Sequence, residues 1–446
     1  MRTRDRFPRV IVSFGAVLSL LLLPGVLGTR RGFAQELNRF ERERAKMMLR
    51  IVKDDVDRYY YDPAYHGVDL KSSFAAADEK IDHAASISQA FAMIARPLLE
   101  LKDSHTFFIP PARSVRLDFG WVMEMIGDHC YVMAVEQGSD AEAKGLKRGD
   151  EVIAEDGHRP TRDNLWGLDY VYRILAPRPT VHLQVQSPGQ PAREIEVAAR
   201  VEEKKNLLRL TSSADFEDYV HDLENRAWLG RHRIQEMGED LSIWKMPEFD
   251  MRPSEVRSTM RSVMKHKALI LDLRGNPGGS IETLEAMVGS FLDGEVKFAD
   301  PQSRQRMKPL VAKAIGDPFT GKLVVLIDSK SASSSELFAR TMQLEKRAVV
   351  LGDRSAGEVM MARPYPHGIG SDTQIFFAAQ VTIANLIMKD GQSLEGVGVA
   401  PDEVMLPTAE DLAGGSDPVL AHAASLCGVT LDAKKAGSFF PVEWKR

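Results

Sequence analysis

The chain has 446 residues, which is more than one compact domain usually holds, so we expect two or three domains. Hydrophobic residues make up 44% and charged residues 27%, a globular balance that argues against a disordered chain. The formal net charge of −5 gives no reason to expect nucleic acid as a partner.

Residues 1–34 are predicted to be a signal peptide. The basic stretch MRTRDRFPR precedes the uncharged apolar run VIVSFGAVLSLLLLPGVLG, and Gly32 and Ala34 then offer a cleavage signal before Gln35. An uncleaved membrane anchor is the alternative, because the run is nearly long enough to span a bilayer, but Pro24 and several glycines disfavour it. We therefore expect a periplasmic or secreted protein with no membrane span after cleavage.

Two regions of different character follow. Residues 35–112 show apolar positions at helical spacing, first in ELNRFERERAKMMLRIVKDDVDRYYYDP and again in SISQAFAMIARPLLELKDSHTFF, and are predicted to be a helical N-terminal region. Residues 113–200 contain short β-type runs, such as HCYVMAVEQ, DEVIAEDG and TVHLQVQS, that alternate with turns. This second pattern predicts a β domain.

From residue 267 onwards, buried strands alternate with helices. KALILDLRGNPGG, KLVVLIDS and AVVLGD have the character of strands, whereas SIETLEAMVGSFLDG and SSELFARTMQLEKR have that of helices. Such alternation is typical of parallel βαβ units. We expect an α/β core over residues 201–410 and a C-terminal extension, residues 411–446, that packs on it.

The sequence offers no metal or cofactor motif. Cys130 and Cys427 are far apart and lie in neither a metal nor a redox spacing, so we interpret them as two free or buried thiols. A His-Glu-x-x-His motif, an acidic calcium loop and a phosphate-binding glycine loop with its lysine are all missing from the sequence. We expect neither a metal nor a cofactor.

The stretch SKSASSSELFA, residues 329–339, follows a buried strand and begins a helix. A hydroxyl there lies beside free backbone N–H groups at the positive end of a helix dipole, which favours developing negative charge. By itself the stretch is best explained as a helix cap, in which Ser333 or Ser334 forms a capping box with Glu336.

With its neighbours, the stretch resembles a motif of the C-terminal processing peptidases, a serine protease family that includes the tricorn core proteases. SASSSE is similar to that family's Ser-Ala-Ser-Ala-Ser-Glu. The resemblance implies that Ser333 is the nucleophile and that Ser331 and Ser335 are structural. Ser334 takes the place of the usual alanine, and its N–H would be an oxyanion donor.

The turn DLRGNPGG, residues 272–279, could be a simple strand-ending turn, since Asn, Pro and Gly are common there. It also resembles the family's Asp-Leu-Arg-x-Asn-x-Gly-Gly turn. That resemblance implies that backbone N–H groups at Gly278 and Gly279 complete the oxyanion hole.

The proton acceptor departs from the commonest pattern of the family. Many members use a lysine at the position that Glu358 takes here, and a carboxylate is too weak a base for a serine hydroxyl. A second branch, exemplified by tricorn, uses histidine within Leu-x-x-Ser-His-Thr and a glutamate before Gly-Val-x-Pro-Asp. LKDSHTFF and SLEGVGVAPD resemble these motifs and imply His105 as the base, with Ser104 and Glu395 orienting it.

Two lysines remain alternative bases. Lys330 is very close to Ser333 along the chain, and Lys389 lies near Glu395. A further histidine, His367 in PYPHGIG, is interpreted as a substrate-side or structural residue.

The stretch GSDAEAKGLKRGDEVIAEDG resembles the PDZ signature: a short helix, Gly-Leu-x-x-Gly-Asp, a strand and an Asp-Gly turn. The resemblance implies a PDZ-like domain over residues 113–200 that captures an extended peptide as an added strand. The loop for the peptide's terminal carboxylate would lie at Phe119, Gly120 and Trp121, although LDFGWVMEM departs from the usual Gly-Leu-Gly-Phe.

The resemblance runs from about residue 40 to the C-terminus. It implies an α/β protease core of the crotonase-like type and peptide hydrolysis through an acyl-enzyme on Ser333. Two alternatives stay open: a pseudo-protease that binds peptide tails without cutting them, and a lipid or small-molecule binding protein, as the interphotoreceptor retinoid-binding protein is on this fold. The sequence gives neither the substrate nor the oligomeric state.

Overall fold

The computed structural model describes residues 37–113, 115–203, 231–370 and 374–444. Within these ranges the protein is a mixed α/β structure, which confirms the predicted class. The predicted signal peptide, residues 1–34, lies outside the described residues. Among the helices of the described ranges, none combines the length and the apolar character that crossing a membrane requires.

Three helices and a short strand form the N-terminal region. Each helix begins at a side-chain cap, because Asn38, Asp69 and Ser86 accept the N–H of the third residue that follows. Apolar faces of these helices share one hydrophobic core with the hairpin formed by the strands Met360–Ile369 and Ile375–Met388 of the main domain. The strand that ends this region therefore belongs to a sheet of the core. The elements are α1 (Arg39–Tyr59), a 3-10 turn (Tyr65–Gly67), α2 (Leu70–Asp82), α3 (Ile87–Leu99) and β1 (Phe107–Ile109).

Residues 115–203, which we call the small β domain, contain a five-stranded antiparallel sheet in the order β3-β4-β5-β6-β7. The first and last strands of the domain, β2 and β8, form a separate antiparallel pair where the chain enters and leaves the domain. The elements are β2 (Val115–Asp118), β3 (Trp121–Ile126), β4 (His129–Val135), α4 (Asp140–Ala143), β5 (Glu151–Glu155), α5 (Leu165–Asp169), a π-helical turn (Tyr170–Leu175), β6 (Thr180–Gln186), β7 (Arg193–Ala198) and β8 (Arg200–Glu203).

The main domain contains a six-stranded sheet in the order β18-β15-β14-β11-β10-β9, parallel except for β9. Helices cover both faces, so its central strands are apolar throughout. The elements are β9 (Arg233–Met237), β10 (Leu241–Lys245), α6 (Pro253–Val263), β11 (Ala268–Asp272), α7 (Ile281–Gly289), β12 (Glu295–Gln302), β13 (Leu310–Lys313), β14 (Lys322–Ile327), α8 (Ser334–Leu344), β15 (Val349–Gly352), β16 (Met360–Ile369), β17 (Ile375–Met388), β18 (Glu403–Val404), α9 (Ala409–Gly414), α10 (Pro418–Leu426) and α11 (Ala433–Ala436).

A second, antiparallel sheet joins the N-terminal region to the main domain. The long strand β17 pairs with β16 along one edge and with β1 and β12 along the other. The C-terminal helices α10 and α11 instead cover a face of the parallel sheet. Because β1 directly follows Ser104 and His105, its pairing with β17 fixes the position of these two residues against the main domain.

Candidate active site

Two loops meet at the carboxyl edge of the parallel sheet. β11 and β14 are neighbours in register, with Asp272 opposite Leu326, and both strands end here. The glycine-rich turn that follows β11 therefore lies beside the serine stretch that follows β14. Ligand sites in open α/β sheets form outside the carboxyl ends of the strands.

The serine stretch contains five hydroxyls, and four of them donate to backbone carbonyl oxygens. Ser333 is the exception, because its side chain makes no hydrogen bond to the helix that it begins. Its hydroxyl is thus uncommitted, whereas its neighbours hold the loop in place. The donors Ser329, Ser331, Ser334 and Ser335 bond the carbonyl oxygens of Met125, Leu273, Gly279 and Asn276 respectively.

The backbone of Ser333 is strained. Its φ is 52° and its ψ is −116°, values that a residue with a Cβ rarely adopts. Such a conformation costs about 1–3 kcal/mol and persists only when the surroundings enforce it. It occurs here at the turn from strand β14 into helix α8, where the side chain is presented at the helix start.

The glycine turn packs directly on Ser333. A Cβ placed on Gly278 would lie 2.7 Å from the Ser333 Cβ and 2.9 Å from the Ser334 nitrogen, so only glycine fits. The N–H of Gly278 donates to the Asn276 side chain at 2.8 Å. By contrast, the N–H groups of Gly279 and Ser334 have no acceptor among the described residues. Of the three predicted oxyanion donors, these two are available.

A relay of hydrogen bonds joins His105, Ser104 and Glu395. The Ser104 hydroxyl lies 2.6 Å from His105 Nδ1 and donates to Glu395 Oε2 at 3.0 Å. Because the Ser104 proton goes to the carboxylate, His105 Nδ1 must carry a proton and donate it to Ser104. Its other nitrogen, Nε2, then has a free lone pair and can act as a base.

One peptide group links this relay to Ser333. The carbonyl oxygen of Glu358 accepts the Ser333 N–H at 2.9 Å, and the N–H of Val359, in the same peptide group, donates to Glu395 at 2.8 Å. The three residues of the relay and the strained serine are thus held by adjacent hydrogen bonds. No hydrogen bond joins the Ser333 hydroxyl to His105, and contacts of this kind often tighten only when substrate binds.

Glu336 clamps Ser333 to the loop that carries Glu358. Its buried carboxylate accepts the N–H groups of Ser333 and Glu358 on one oxygen, and the Ser355 hydroxyl and Gly357 N–H on the other. Burial raises the pKa of Glu336 to about 7, and these four donors oppose the rise. The capping-box interpretation therefore described only one of its contacts.

The ionisation of the relay suits a base. Burial raises the pKa of Glu395 to about 7, and the neighbouring Asp103 adds to the rise, while hydrogen bonds from Ser104 and Val359 oppose it. Burial lowers the pKa of His105, which keeps the imidazole neutral near neutral pH. A neutral imidazole can accept a proton, as a general base must.

Asp103 is a residue of the site that no sequence motif identified. Its Oδ1 accepts the N–H of His105 at 2.8 Å and the Thr382 hydroxyl at 2.7 Å, and the side chain is buried. Its negative charge also raises the pKa of His105 against the effect of burial. Its place beside the Ser-His pair is the one signal that could have suggested it.

A cavity of about 230 Å³ opens beside the relay. His105, Ser104 and Glu358 line it together with Ala332, the residue before Ser333. Lys330 also lines this cavity, so it lies near the site. The wall contributed by the small β domain and β1 is largely apolar and aromatic: Phe107, Met125, Leu165, Trp166, Tyr170 and Ile174.

Two other candidates lie elsewhere. Lys389 forms an exposed ion pair with Glu345 at 2.7 Å and does not line the cavity. His367 pairs with Asp55 of helix α1 at 2.7 Å, which makes it a contact between the hairpin and the N-terminal region. Both thiols, Cys130 and Cys427, are free.

The predicted peptide-binding loop of the small β domain is tightly packed. Phe119 and Trp121 are buried, with 6% and 4% of their surface exposed. The Gly120 N–H donates to Asp118 Oδ1 at 3.0 Å, and a Cβ on Gly120 would lie 2.4 Å from the Ser139 Cβ. The loop does not line the cavity beside His105.

Comparison with known proteins identifies the class of this site. Residues 240–405, which contain the serine stretch, the glycine turn and Glu395, match the model of peptidase family S41. This part of the chain is similar to peptidase family S41. This match confirms the resemblance drawn from the motifs and supports a serine peptidase, which is a hydrolase.

Relatives with related names support the same class. A carboxyl-terminal-processing protease of Picosynechococcus is 25% identical over 363 residues, which are 77% of this chain and 80% of the relative. A carboxy-terminal-processing protease of Bartonella bacilliformis is 31% identical, but over only 35% of each chain. A tail-specific protease of Haemophilus influenzae is 26% identical over 67% of this chain, which spans 43% of the longer relative.

Solved structures show that the fold is shared. Mature CPAF, complexed with lactacystin, superimposes with a TM-score of 0.62 at 15% identity, over 83% of this chain and 95% of that chain. The photosystem II D1 C-terminal processing protease has a TM-score of 0.50 at 19% identity, over 83% and 97%. At such identities the likeness concerns the fold and not the substrate.

Proposed function

We propose that this chain is an exported peptidase of the S41 type that hydrolyses peptide bonds through an acyl-enzyme on Ser333. The observation that carries the proposal is the relay from Glu395 through Ser104 to His105, linked by one peptide group to the only uncommitted hydroxyl of the serine stretch. A structural role for Ser104 and His105 would not require that His105 line a cavity and keep one ring nitrogen without a hydrogen bond.

The proposed mechanism follows the logic of a serine-histidine-acid triad with one extra hydroxyl. His105 Nε2 takes the proton of Ser333 as its oxygen attacks the substrate carbonyl, and the imidazolium is stabilised through Ser104 by Glu395. The N–H groups of Ser334 and Gly279 would bind the developing oxyanion. His105 then protonates the leaving amine, and water, activated by the same nitrogen, releases the acyl group.

The small β domain is proposed to be PDZ-like and to present substrate. Its edge strand β3 and its helix α5 both reach the cavity that His105 lines, through Met125 and Trp166. A peptide that adds to β3 would therefore extend towards the relay. Export is proposed from residues 1–34 alone.

Labelling with a serine-reactive fluorophosphonate tests the function. We expect the wild-type chain to be labelled and Ser333→Ala to remain unlabelled, with Ser334→Ala as the matched control that keeps the label. Equal labelling of Ser333→Ala, or none of the wild type, would contradict the proposal. The latter result would favour the peptide-binding pseudo-protease, whose support was the missing lysine; the lipid-binding alternative has no specific observation in its favour.

A further inference from the structure

The loop before β3 is the place where a PDZ-like domain would hold the carboxylate at the end of a peptide. The donors of that cradle would be the N–H groups of Phe119, Gly120 and Trp121. The central donor, Gly120, is already bonded to a carboxylate, because it donates to Asp118 Oδ1 at 3.0 Å. The other oxygen of Asp118 accepts from Arg200 at 2.7 Å, which holds the side chain in this place.

An arginine covers the same loop from the side of the helix. The Arg173 guanidinium lies 5.4 Å from the Phe119 ring centre and 5.9 Å from that of Trp121. It does not reach outward for a ligand, since its Nε donates to Asp169 at 2.6 Å. Cation and rings together join the π-helical turn to the loop before β3.

The charge around the loop disfavours an additional anion. Two guanidinium groups face four carboxyl groups, so the net charge is negative. Burial raises the pKa of Glu155 to about 7, and its protonation would remove at most one of the negative charges. A terminal carboxylate arriving here would meet like charge, which costs binding energy. The cations are Arg173 and Arg200, and the carboxyl groups are Asp118, Glu136, Glu155 and Asp169.

The far end of β3 is different, because it opens towards the cavity of the relay. Met125 lines this cavity, and its carbonyl oxygen accepts the hydroxyl of Ser329 from the serine stretch. Trp166 and Tyr170, from α5 and the π-helical turn, line the same cavity. A chain lying in this cavity reaches His105 without contacting the loop at Phe119, because His105 lines the cavity and the loop does not.

We propose that the small β domain engages an internal extended segment of the substrate, and that Asp118 occupies the position where a terminal carboxylate would otherwise bind. This inference rests on the proposed function, because it concerns how that peptidase selects its substrate. A free C-terminus is then not required for recognition. The substrate class is internal, extended segments of unfolded protein chains. The apolar and aromatic cavity wall favours segments with large apolar side chains.

A randomised nonapeptide library, made once with a free C-terminal carboxylate and once with a C-terminal amide, tests the inference on the full chain. Binding is measured on Ser333→Ala and cleavage on the wild type. We expect acid and amide libraries to agree within about twofold in both. Loss of charge-assisted hydrogen bonds to a carboxylate would cost at least about tenfold, so an acid preference of that size would overturn the inference.

Two variants test the place of Asp118. Asp118→Gly, which supplies the glycine usual at this position of the loop, empties the cradle and should create an acid preference of about tenfold. Asp118→Asn keeps the acceptor for the Gly120 N–H, so this variant should bind and cleave the acid and amide libraries about equally. If a folded Asp118→Gly variant bound and cleaved the acid and amide libraries equally, Asp118 would not occupy the position of a terminal carboxylate. Thermal melting verifies folding, and the wild-type comparison of the two libraries decides the inference without either variant.

Failure of the proposed function would look different. The wild type would then cleave neither library and would not react with a fluorophosphonate, while binding to Ser333→Ala would still report the acid-to-amide ratio. Retention of neither library would overturn the inference as well, because no internal segment would then be recognised.

Discussion

The two halves of the site are built in different ways. The proposed nucleophile and the glycine turn follow neighbouring strands of one parallel sheet, and hydroxyl-to-carbonyl bonds hold their loops together. The proposed base, His105, follows Ser104, which meets the proposed acid, Glu395, across a separation of 291 residues through hydrogen bonds to the Glu395 carboxylate. The first half depends on local main-chain geometry, whereas the second depends on docking of the N-terminal region against β17. Mutations can therefore separate the assembly of the site from its chemistry.

Removal of the nucleophile should break the first half with the largest effect. Ser333→Ala is expected to lower peptide hydrolysis by at least about 10⁴-fold, because no other hydroxyl of the stretch is free to attack. The strained backbone is enforced by Glu336 and Gly278, so the variant should fold. Progress curves with a casein substrate measure the loss, and activity within tenfold of wild type would show that another residue is the nucleophile.

Removal of the base should break the second half while leaving the first intact. His105→Ala is expected to lower activity by about 10²–10⁴-fold, the usual contribution of a general base. Glu358→Ala is the matched control, since its side chain lines the same cavity but its carbonyl makes the contact to Ser333; its loss should stay below about tenfold. If Glu358→Ala were the inactive variant and His105→Ala the active one, the relay would be wrong.

Neutralisation of the acid sharpens the comparison through pH. Glu395→Gln should lower activity by about 10²-fold, because the imidazolium loses its partner. In the wild type, activity should fall as pH drops through about 7, where Glu395 becomes protonated, and fall further at lower pH, because burial lowers the pKa of His105 below its ordinary value. Stability has the opposite sign: a raised carboxyl pKa in the folded state makes the protein less stable as pH rises from about 4.5 to about 7. Chemical denaturation of Glu395→Gln should lack this component, and an unchanged slope would contradict it.

The smallest expected effect is at Asp103, which acts on the base without contacting substrate. Asp103→Asn should lower activity by about tenfold and move the acidic limb of the pH profile to lower pH, because Asp103 raises the pKa of both His105 and Glu395. Thr382→Val, which removes a neighbour of Asp103 and no charge, is the control. A loss of rate with an unmoved limb would indicate that Asp103 only supports the backbone.

The parallel sheet could be predicted from the sequence because its strands are uninterrupted apolar runs. ALILD is buried along its length as β11, and KLVVLI is buried as β14 after its exposed first residue, Lys322. The hairpin of β16 and β17 has no such signal, since it carries polar and glycine residues within long strands. Strand β1 was hidden at the end of a helical pattern, because three residues are too few to show a period.

The same contrast holds for the candidate site. Ser333, His105 and Glu395 lie in motifs whose spacing could be compared with a family, and their roles remain predictions. Asp103 and the clamp formed by Glu336 depend on residues that only folding brings together, such as Thr382 and Ser355. The departure of LDFGWVMEM from the usual loop was visible in the sequence. That the Asp118 carboxylate itself bonds the Gly120 N–H was not.

The peptide group between Glu358 and Val359 sets the distance between Ser333 and Glu395. Its carbonyl fixes the strained serine and its N–H fixes the acid, so the spacing between the two is set by one rigid, planar amide. The side chain at position 358 takes no part in these two main-chain hydrogen bonds. A change of side chain there, such as glutamate in place of lysine, can therefore remove the lysine base. The spacing between Ser333 and Glu395 is unchanged, so His105 can serve as the base instead.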